Sequence, residues 1–376
     1  MRFRMITSGS ACKSRAALEW QPPRVSRVAL MLLVAMVASA CGQATRTNGS
    51  ARASRPPAPA RPTATGPGDP ILARLGLPPV GNGSPLPGYL MIADRDNNRV
   101  IVLNPARRIV WQFPPRGNTA PADFTQPDDA FVSADGRDIS TNQEFAETIT
   151  VISLTRRPRI VWQYGHYNGQ GSAPGYLAHP DDAYLLANGQ IQVADIINCR
   201  VLWINHTKQV VRSIGRAGDC GHHPPFSLSA PNGDTPLPGG GVLVTEIGGW
   251  VDRFDGFGHL LWSISTPTTY PSDAQLLPSG NVLVAGYNTP GRIDVITPHG
   301  RILWTYGPSS GPGSLARPSL ALALPNGTIA VTDDWNHRVV LINRTSKKIV
   351  WQYGHDGTPG SAPGYLNKPD GLELLP

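Results

Sequence analysis

The chain has 376 residues, 40% of them hydrophobic, with Gly 40, Pro 38 and a formal net charge of +7 at pH 7. That apolar share is enough for a packed core, and so much Gly and Pro belongs to many short strands joined by turns rather than to a helical protein. The charge does not mark a nucleic-acid binder: Arg2, Arg4, Lys13, Arg15, Arg24 and Arg27 against Glu19 give +5 in residues 1–41, Arg46, Arg52, Arg55, Arg61 and Arg74 against Asp69 give +4 in 42–84, and residues 85–376 are left at −2, with no basic stripe.

In chain order, the first element is the apolar run from Val28 to Ala40, which follows Arg24 and Arg27. It falls short of the ~20 residues that cross a bilayer and reads as the hydrophobic core of an export signal, with small residues at its end. Ala38-Ser39-Ala40-Cys41 resembles a bacterial lipobox, with Ala38 where leucine is usual. Two routes follow. Lipidation of Cys41 would hold the mature chain on the outer face of a membrane through that anchor alone; cleavage after Ala40 would secrete it. Residues 42–84 read as a disordered Pro/Ala-rich tether, because a segment with so few large apolar groups cannot offset its ordering entropy.

From residue 85 on, the sequence repeats. Asp94-Arg95-Asp96-Asn97-Asn98-Arg99-Val100, Asp195-Ile196-Ile197-Asn198-Cys199-Arg200-Val201 and Asp333-Asp334-Trp335-Asn336-His337-Arg338-Val339 share one pattern of Asp, Asn, Arg and Val. Each precedes an alternating apolar strand, and Trp111, Trp162, Trp262, Trp304 and Trp351 recur near the end of a unit. Asn188-Gly189 and Asn326-Gly327 are hairpin turns. Weaker copies fill the gaps, giving six units of about four strands, the period of propeller blades. The final Pro369-Asp370-Gly371-Leu372 matches the opening of a unit, as at Pro180-Asp181-Asp182-Ala183, and the first unit lacks that opening. The prediction is an all-β, six-bladed β-propeller over 85–376, closed by the C-terminal strand joining blade one.

The Asp-x-x-Asn-x-Arg-Val element, Trp-Gln-Tyr-Gly and Pro-Gly-Tyr-Leu-x-x-Pro-Asp resemble NHL-repeat β-propellers across 85–376. Blades two, four and five depart from the pattern, with Thr141-Asn142-Gln143-Glu144, Glu246-Ile247-Gly248-Gly249 and Gly286-Tyr287-Asn288-Thr289 in place of the Asp/Asn core. The resemblance implies the fold; NHL-type propellers include peptide-processing lyases, sensor domains and interaction scaffolds, so it does not choose a function.

The repeated Asp/Asn/Arg trio reads first as structure: Asp and Asn satisfy the backbone of a tight turn, and Arg forks onto the carboxylate. Asp128, Asp129, Asp181, Asp182, Asp273 and Asp370 begin the innermost strands and should ring one mouth of the channel. There they either cap their own strands or bind a ligand, Ca²⁺ or another divalent metal included; no cofactor is otherwise indicated. His179 precedes Pro180-Asp181-Asp182, and a metal site from His179, His222 and nearby carboxylates is conceivable, although local ligand spacing of the zinc kind is missing. Cys199 and Cys220 predict a disulfide in an oxidising compartment, with a Cys/His metal site through His222 or His223 as the minor alternative.

The functional expectation is an extracytoplasmic, surface-displayed propeller that binds a protein, peptide or glycan, without identified catalysis and without nucleic acid as a partner. The alternative is a propeller enzyme with its site at the channel mouth. The stretch Tyr270 to Val284, with Arg301-Ile302-Leu303-Trp304, resembles repeats of arylsulfotransferase-like propellers, for which His179 or His222 would be the histidine to test. A metal-dependent lyase is the other enzyme form.

Overall fold

The computed structural model describes residues 69–81 and 83–375; Cys41, the export stretch and residues 42–68 of the expected tether lie outside them. The described strands form six four-stranded antiparallel sheets arranged as propeller blades. Counting outward from the axis, blade one is Pro369–Leu375, Tyr89–Asp94, Arg99–Leu103 and Ile109–Phe113; blade two is Phe131–Val132, Asp138–Gln143, Thr148–Ser153 and Ile160–Gly165. Blade three is Pro180–Leu185, Ile191–Asp195, Arg200–Ile204 and Val210–Gly215, and blade four Pro231–Pro236, Val242–Glu246, Trp250–Phe254 and Leu260–Ser265. Blade five is Pro271–Leu276, Val282–Gly286, Arg292–Ile296 and Ile302–Tyr306, and blade six Ala321–Ala323, Thr328–Asp333, Arg338–Asn343 and Lys348–Gly354. Blade one takes its innermost strand from the C-terminus, with Tyr89 opposite Leu375 and Ile92 opposite Leu372. Closure in this way leaves no open sheet edge at the seam.

The second strand of each blade is sandwiched between two neighbouring blades: Tyr89–Asp94 and Thr328–Asp333 are buried throughout and largely apolar on both faces, whereas the almost equally buried Asp138–Gln143 of blade two is mostly polar. The core is therefore a set of layers between blades. Leu90, Ile92 and Ile101 meet Leu322, Leu341 and Trp351 of blade six, while Met91, Val100 and Val102 meet Ile139 and Ile152 of blade two. Each such side chain contributes about 1.5–3 kcal/mol by burial. The outer-strand tryptophans tie blades together, as their position in the repeat suggests. Trp111, Trp162 and Trp304 donate their indole N–H to the carbonyls of Thr155, His206 and Arg344, each in the next blade, at 2.7, 3.1 and 2.9 Å. Blade three has no such tryptophan. Arg212 takes the role, stacking 4.0 Å over Trp203 and donating to Gly240 and Asp255 of blade four.

The expected tether 42–84 is not all structureless: Pro70–Leu75 is a helix, N-capped by Asp69 and closed by Gly76 in the left-handed region. Leu72 and Leu75 are buried with Tyr89, Trp111 and Ile139. Those two leucines supply the apolar area that the Pro/Ala-rich part lacks, and the ordering cost is met.

A candidate site at the channel mouth

The turns between second and third strands, and the loops between blades, share one face. The repeated trio builds it. Asp94, Asp195 and Asp333 accept from the backbone N–H of Asn367, Ala178 and Ala316, at 2.8, 2.7 and 2.7 Å, in the loop that leads into an innermost strand. Arg99, Arg200 and Arg338 each lie 2.7 Å from those carboxylates through Nε. Asn97, Asn198 and Asn336 donate to the loop carbonyls of Gly360, Gly171 and Ser314. The trio is thus a clamp on the interblade loop.

The clamp holds a strained backbone. Gln126, His179, Ala230, Arg317 and Lys368, each directly before the proline that opens an innermost strand, have positive φ between 47° and 53°. Side-chain-bearing residues avoid that region, and a following proline restricts them further, at a cost of order 1–3 kcal/mol each. Residues at the end of the neighbouring turn hold the strained peptides in place. Asn98, Glu147 and His337 accept the N–H of Gln126, His179 and Lys368. At the same turn position blade three carries Cys199, and there the link to the loop is covalent, a disulfide to Cys220.

The sharp descent delivers the predicted carboxylates to the axis. Asp129, Asp181, Asp182, Asp273 and Asp370 surround a cavity of about 10 Å³ together with Asn232, Ser272, Ser319 and Leu320, roughly the room of one water. One oxygen each from Asp128, Asp129 and Asp181 falls within 4.8 Å of the others. Gly371 lets the C-terminal strand approach, since a Cβ there would sit 2.4 Å from Asp129 Oδ1. Burial, and then repulsion between neighbours, raises Asp128, Asp129, Asp182 and Asp334 well above the usual carboxylate range. Two polar residues close this ring that sequence reasoning had left as unspecified positions of the turn. Arg95 donates to Asp128 at 2.7 Å and to Asp370, and Asp334 accepts from Ser319 at 3.3 Å. In blades one and six the residue following the trio aspartate reaches the axial ring, a signal visible only once the blades are in register.

His179 stands at the mouth but apart from His222. Its Nδ1 is 3.3 Å from Glu144 Oε1 and its Nε2 3.8 Å from Glu147 Oε1, and the hydrogen bond to Glu144 raises its pKa. The imagined set of His179 with His222 is not formed: His222 lies against Glu246 and Asp252 of blade four. His166 stacks on Tyr176 and His355 packs at a tilt on Tyr365, with centroids 4.0 and 4.1 Å apart, which accounts for the repeated Pro-Gly-Tyr linker. Around the inner ring runs an uneven outer one. At the same turn position blades two, three and six present Phe145, Ile197 and Trp335, exposed by 51%, 46% and 44%, where blades one, four and five have Asp96, Gly248 and Asn288. Arg317 and Lys368 lie over the Trp335 ring at 4.3 and 5.1 Å. Elsewhere, a groove of about 710 Å³ follows the outer strand of blade one, lined by Trp111 with Arg107, Arg108, Arg116 and Arg156.

No protein-family model and no curated protein matches the sequence. Solved structures do match in fold. A protein of unknown function from Bacteroides caccae aligns at TM-score 0.53 and 18% identity, over 76% of this chain and 97% of its own. A streptogramin B lyase aligns at 0.44 and 16%, over 62% and 70%, and virginiamycin B lyase from Staphylococcus aureus at 0.43 and 16%, over 65% and 73%. At these identities the likeness bears on the fold alone.

Proposed function

We propose that the chain is an extracytoplasmic binding propeller that takes a peptide, or an exposed loop of a protein, on its mouth face. The observation that carries this reading is the uneven rim: Phe145, Ile197 and Trp335 stand exposed around an inner ring of the axial aspartates with Arg95 and Asp334. Apolar anchors beside fixed polar groups are what a peptide-sized ligand needs, and tryptophan is enriched among such anchors. The Cys199–Cys220 disulfide supports an oxidising compartment, in keeping with the export signal and the lipidated Cys41 that the sequence suggests.

The test is selection of a displayed peptide library, and a parallel glycan panel, against the full chain. Selected peptides should lose at least about tenfold in affinity on Trp335→Ala. Peptides indifferent to both Trp335→Ala and Phe145→Ala, or binders found only among glycans, would refute the reading. The enzyme alternative is favoured by one observation, the His179–Glu144 pair at the mouth, since a histidine oriented by a carboxylate can move a proton. It requires aryl-sulfate turnover, or metal-dependent lyase turnover, that is abolished by His179→Ala.

A further inference from the structure

Five blades balance the charge at the top of their second and third strands. In blades one, three and six an arginine faces the aspartate across the pair, as Asp94 with Arg99, Asp195 with Arg200 and Asp333 with Arg338. Blade five pairs Arg292 with Asp294 at 2.6 Å, and blade two uses uncharged Gln143 with Thr148 and Thr150. Blade four keeps the acid and loses the base. Glu246 faces Trp250, and two residues on, Asp252 adds a second carboxylate, both fully buried. Among the described residues no arginine or lysine pairs with either.

The one basic group present is His222, from the loop between blades three and four. Its Nδ1 lies 3.1 Å from Glu246 Oε2 and 3.9 Å from Asp252 Oδ2. Its Nε2 is 3.2 Å from Ser263 Oγ, and its ring lies flat on Trp250, 4.1 Å between centroids at 10°. A hydrogen bond from Nε2–H to Ser263 leaves the Nδ1 lone pair facing the carboxylates, the outer-shell arrangement that orients a metal-binding imidazole. Nδ1 and one oxygen from each acid lie within 4.8 Å of one another, as ligands around one ion do. Both Asp252 oxygens and Glu246 Oε1 are buried without a full hydrogen bond, their polar neighbours being each other and Ser263, although buried polar atoms are nearly always paired.

We propose that His222, Glu246 and Asp252 bind a divalent first-row cation of zinc's class. One imidazole and two carboxylates are donors zinc accepts in three-ligand sites that keep one position for water. The ion takes the place the arginine holds in blades one, three and six, and it ties the interblade loop bearing Cys220 and His222 to blade four. The site uses none of the axial carboxylates and does not rest on the peptide-binding reading.

The test uses the full chain, stripped with chelator and titrated with Co²⁺ followed by Zn²⁺, with visible absorption as the readout. One equivalent of Co²⁺ should give a ligand-field band that Zn²⁺ displaces. Asp252→Asn and His222→Gln should each abolish the band, Ser263→Ala should weaken Co²⁺ binding about 10- to 100-fold, and Asp129→Asn on the axis should leave it intact. A stripped chain that melts cooperatively yet takes up no Co²⁺ overturns the proposal. So does Co²⁺ uptake that survives Asp252→Asn and is lost with Asp129→Asn. Should Asp252→Asn and His222→Gln fail to fold, Ser263→Ala decides, and an unchanged affinity there counts against the site.

Discussion

Blades six and four both end their second strand on an acid, and they differ in what faces it. In blade six Arg338, almost fully buried, reaches Asp333, Asp356, Gln352 and the carbonyl of Ser314. In blade four the partner across the pair is Trp250, and the acid at that turn is left with a histidine and a second carboxylate. The backbone task is identical, since Glu246 still accepts the N–H of Ser229 in the following loop, just as Asp333 accepts that of Ala316. A repeat can therefore keep its architecture while its charge balance changes. The place where the balance fails is a better pointer to chemistry than the places where it is kept.

The comparison breaks most sharply if its intact half is cut. Arg338→Met should destabilise the fold by about 3–5 kcal/mol, the cost of leaving one member of a buried pair alone; denaturant unfolding measures it, and a loss below about 1 kcal/mol would mean the clamp is ornamental. Next comes the covalent link of the anomalous loop. Serine at both Cys199 and Cys220 should cost about 3 kcal/mol for a closure of 21 residues, and should leave the loops held by Asn98, Glu147 and His337 as protected against amide exchange as before.

A pH series sharpens the contrast between the axis and the clamps. Asp128, Asp129 and Asp182 have folded pKa values raised above the unfolded value, chiefly by burial. Their contribution to stability is full below the unfolded pKa of about 4 and is lost as pH rises toward the raised values, by at most about 1.4 kcal/mol per pH unit for each group titrating. In chelator the chain should be more stable at pH 5 than at pH 8, and Asp129→Asn should flatten that slope; a slope of opposite sign would contradict the axial reading. The smallest effect belongs to the rim: Trp335→Ala should change stability by no more than about 0.5 kcal/mol, because a residue that works by binding is not needed for folding.

Much of this was legible in the sequence because the repeat is a ruler. Asp94, Asn97 and Arg99 recur at fixed offsets, so the clamp, the blade count and closure by Pro369-Asp370-Gly371 follow from alignment alone. The carboxylates after each opening proline were placed at the mouth by the same logic. The helix Pro70–Leu75 was not legible, since Leu72 and Leu75 are two apolar residues in a polar stretch, and their contact with blade one is what holds them. The blade-four cluster was illegible for a different reason. His222, Glu246, Asp252 and Ser263 come from a loop and three strands, and only strand register brings them together. A signal existed nonetheless: Glu246 keeps the acid of the trio while Trp250 stands where the arginine should be.

The most direct measurement of that contrast is the unfolding free energy, in chelator, of Asp252→Asn beside Asp333→Asn. Asp333→Asn takes the buried partner from Arg338, leaving it only the partly exposed Asp356, and should cost about 3–5 kcal/mol, whereas Asp252→Asn removes a carboxylate that no arginine or lysine pairs with and should leave the metal-free chain unchanged or more stable. Comparable losses in both would mean that Asp252 is already compensated within the protein, and the distinction between blade four and its neighbours would fall.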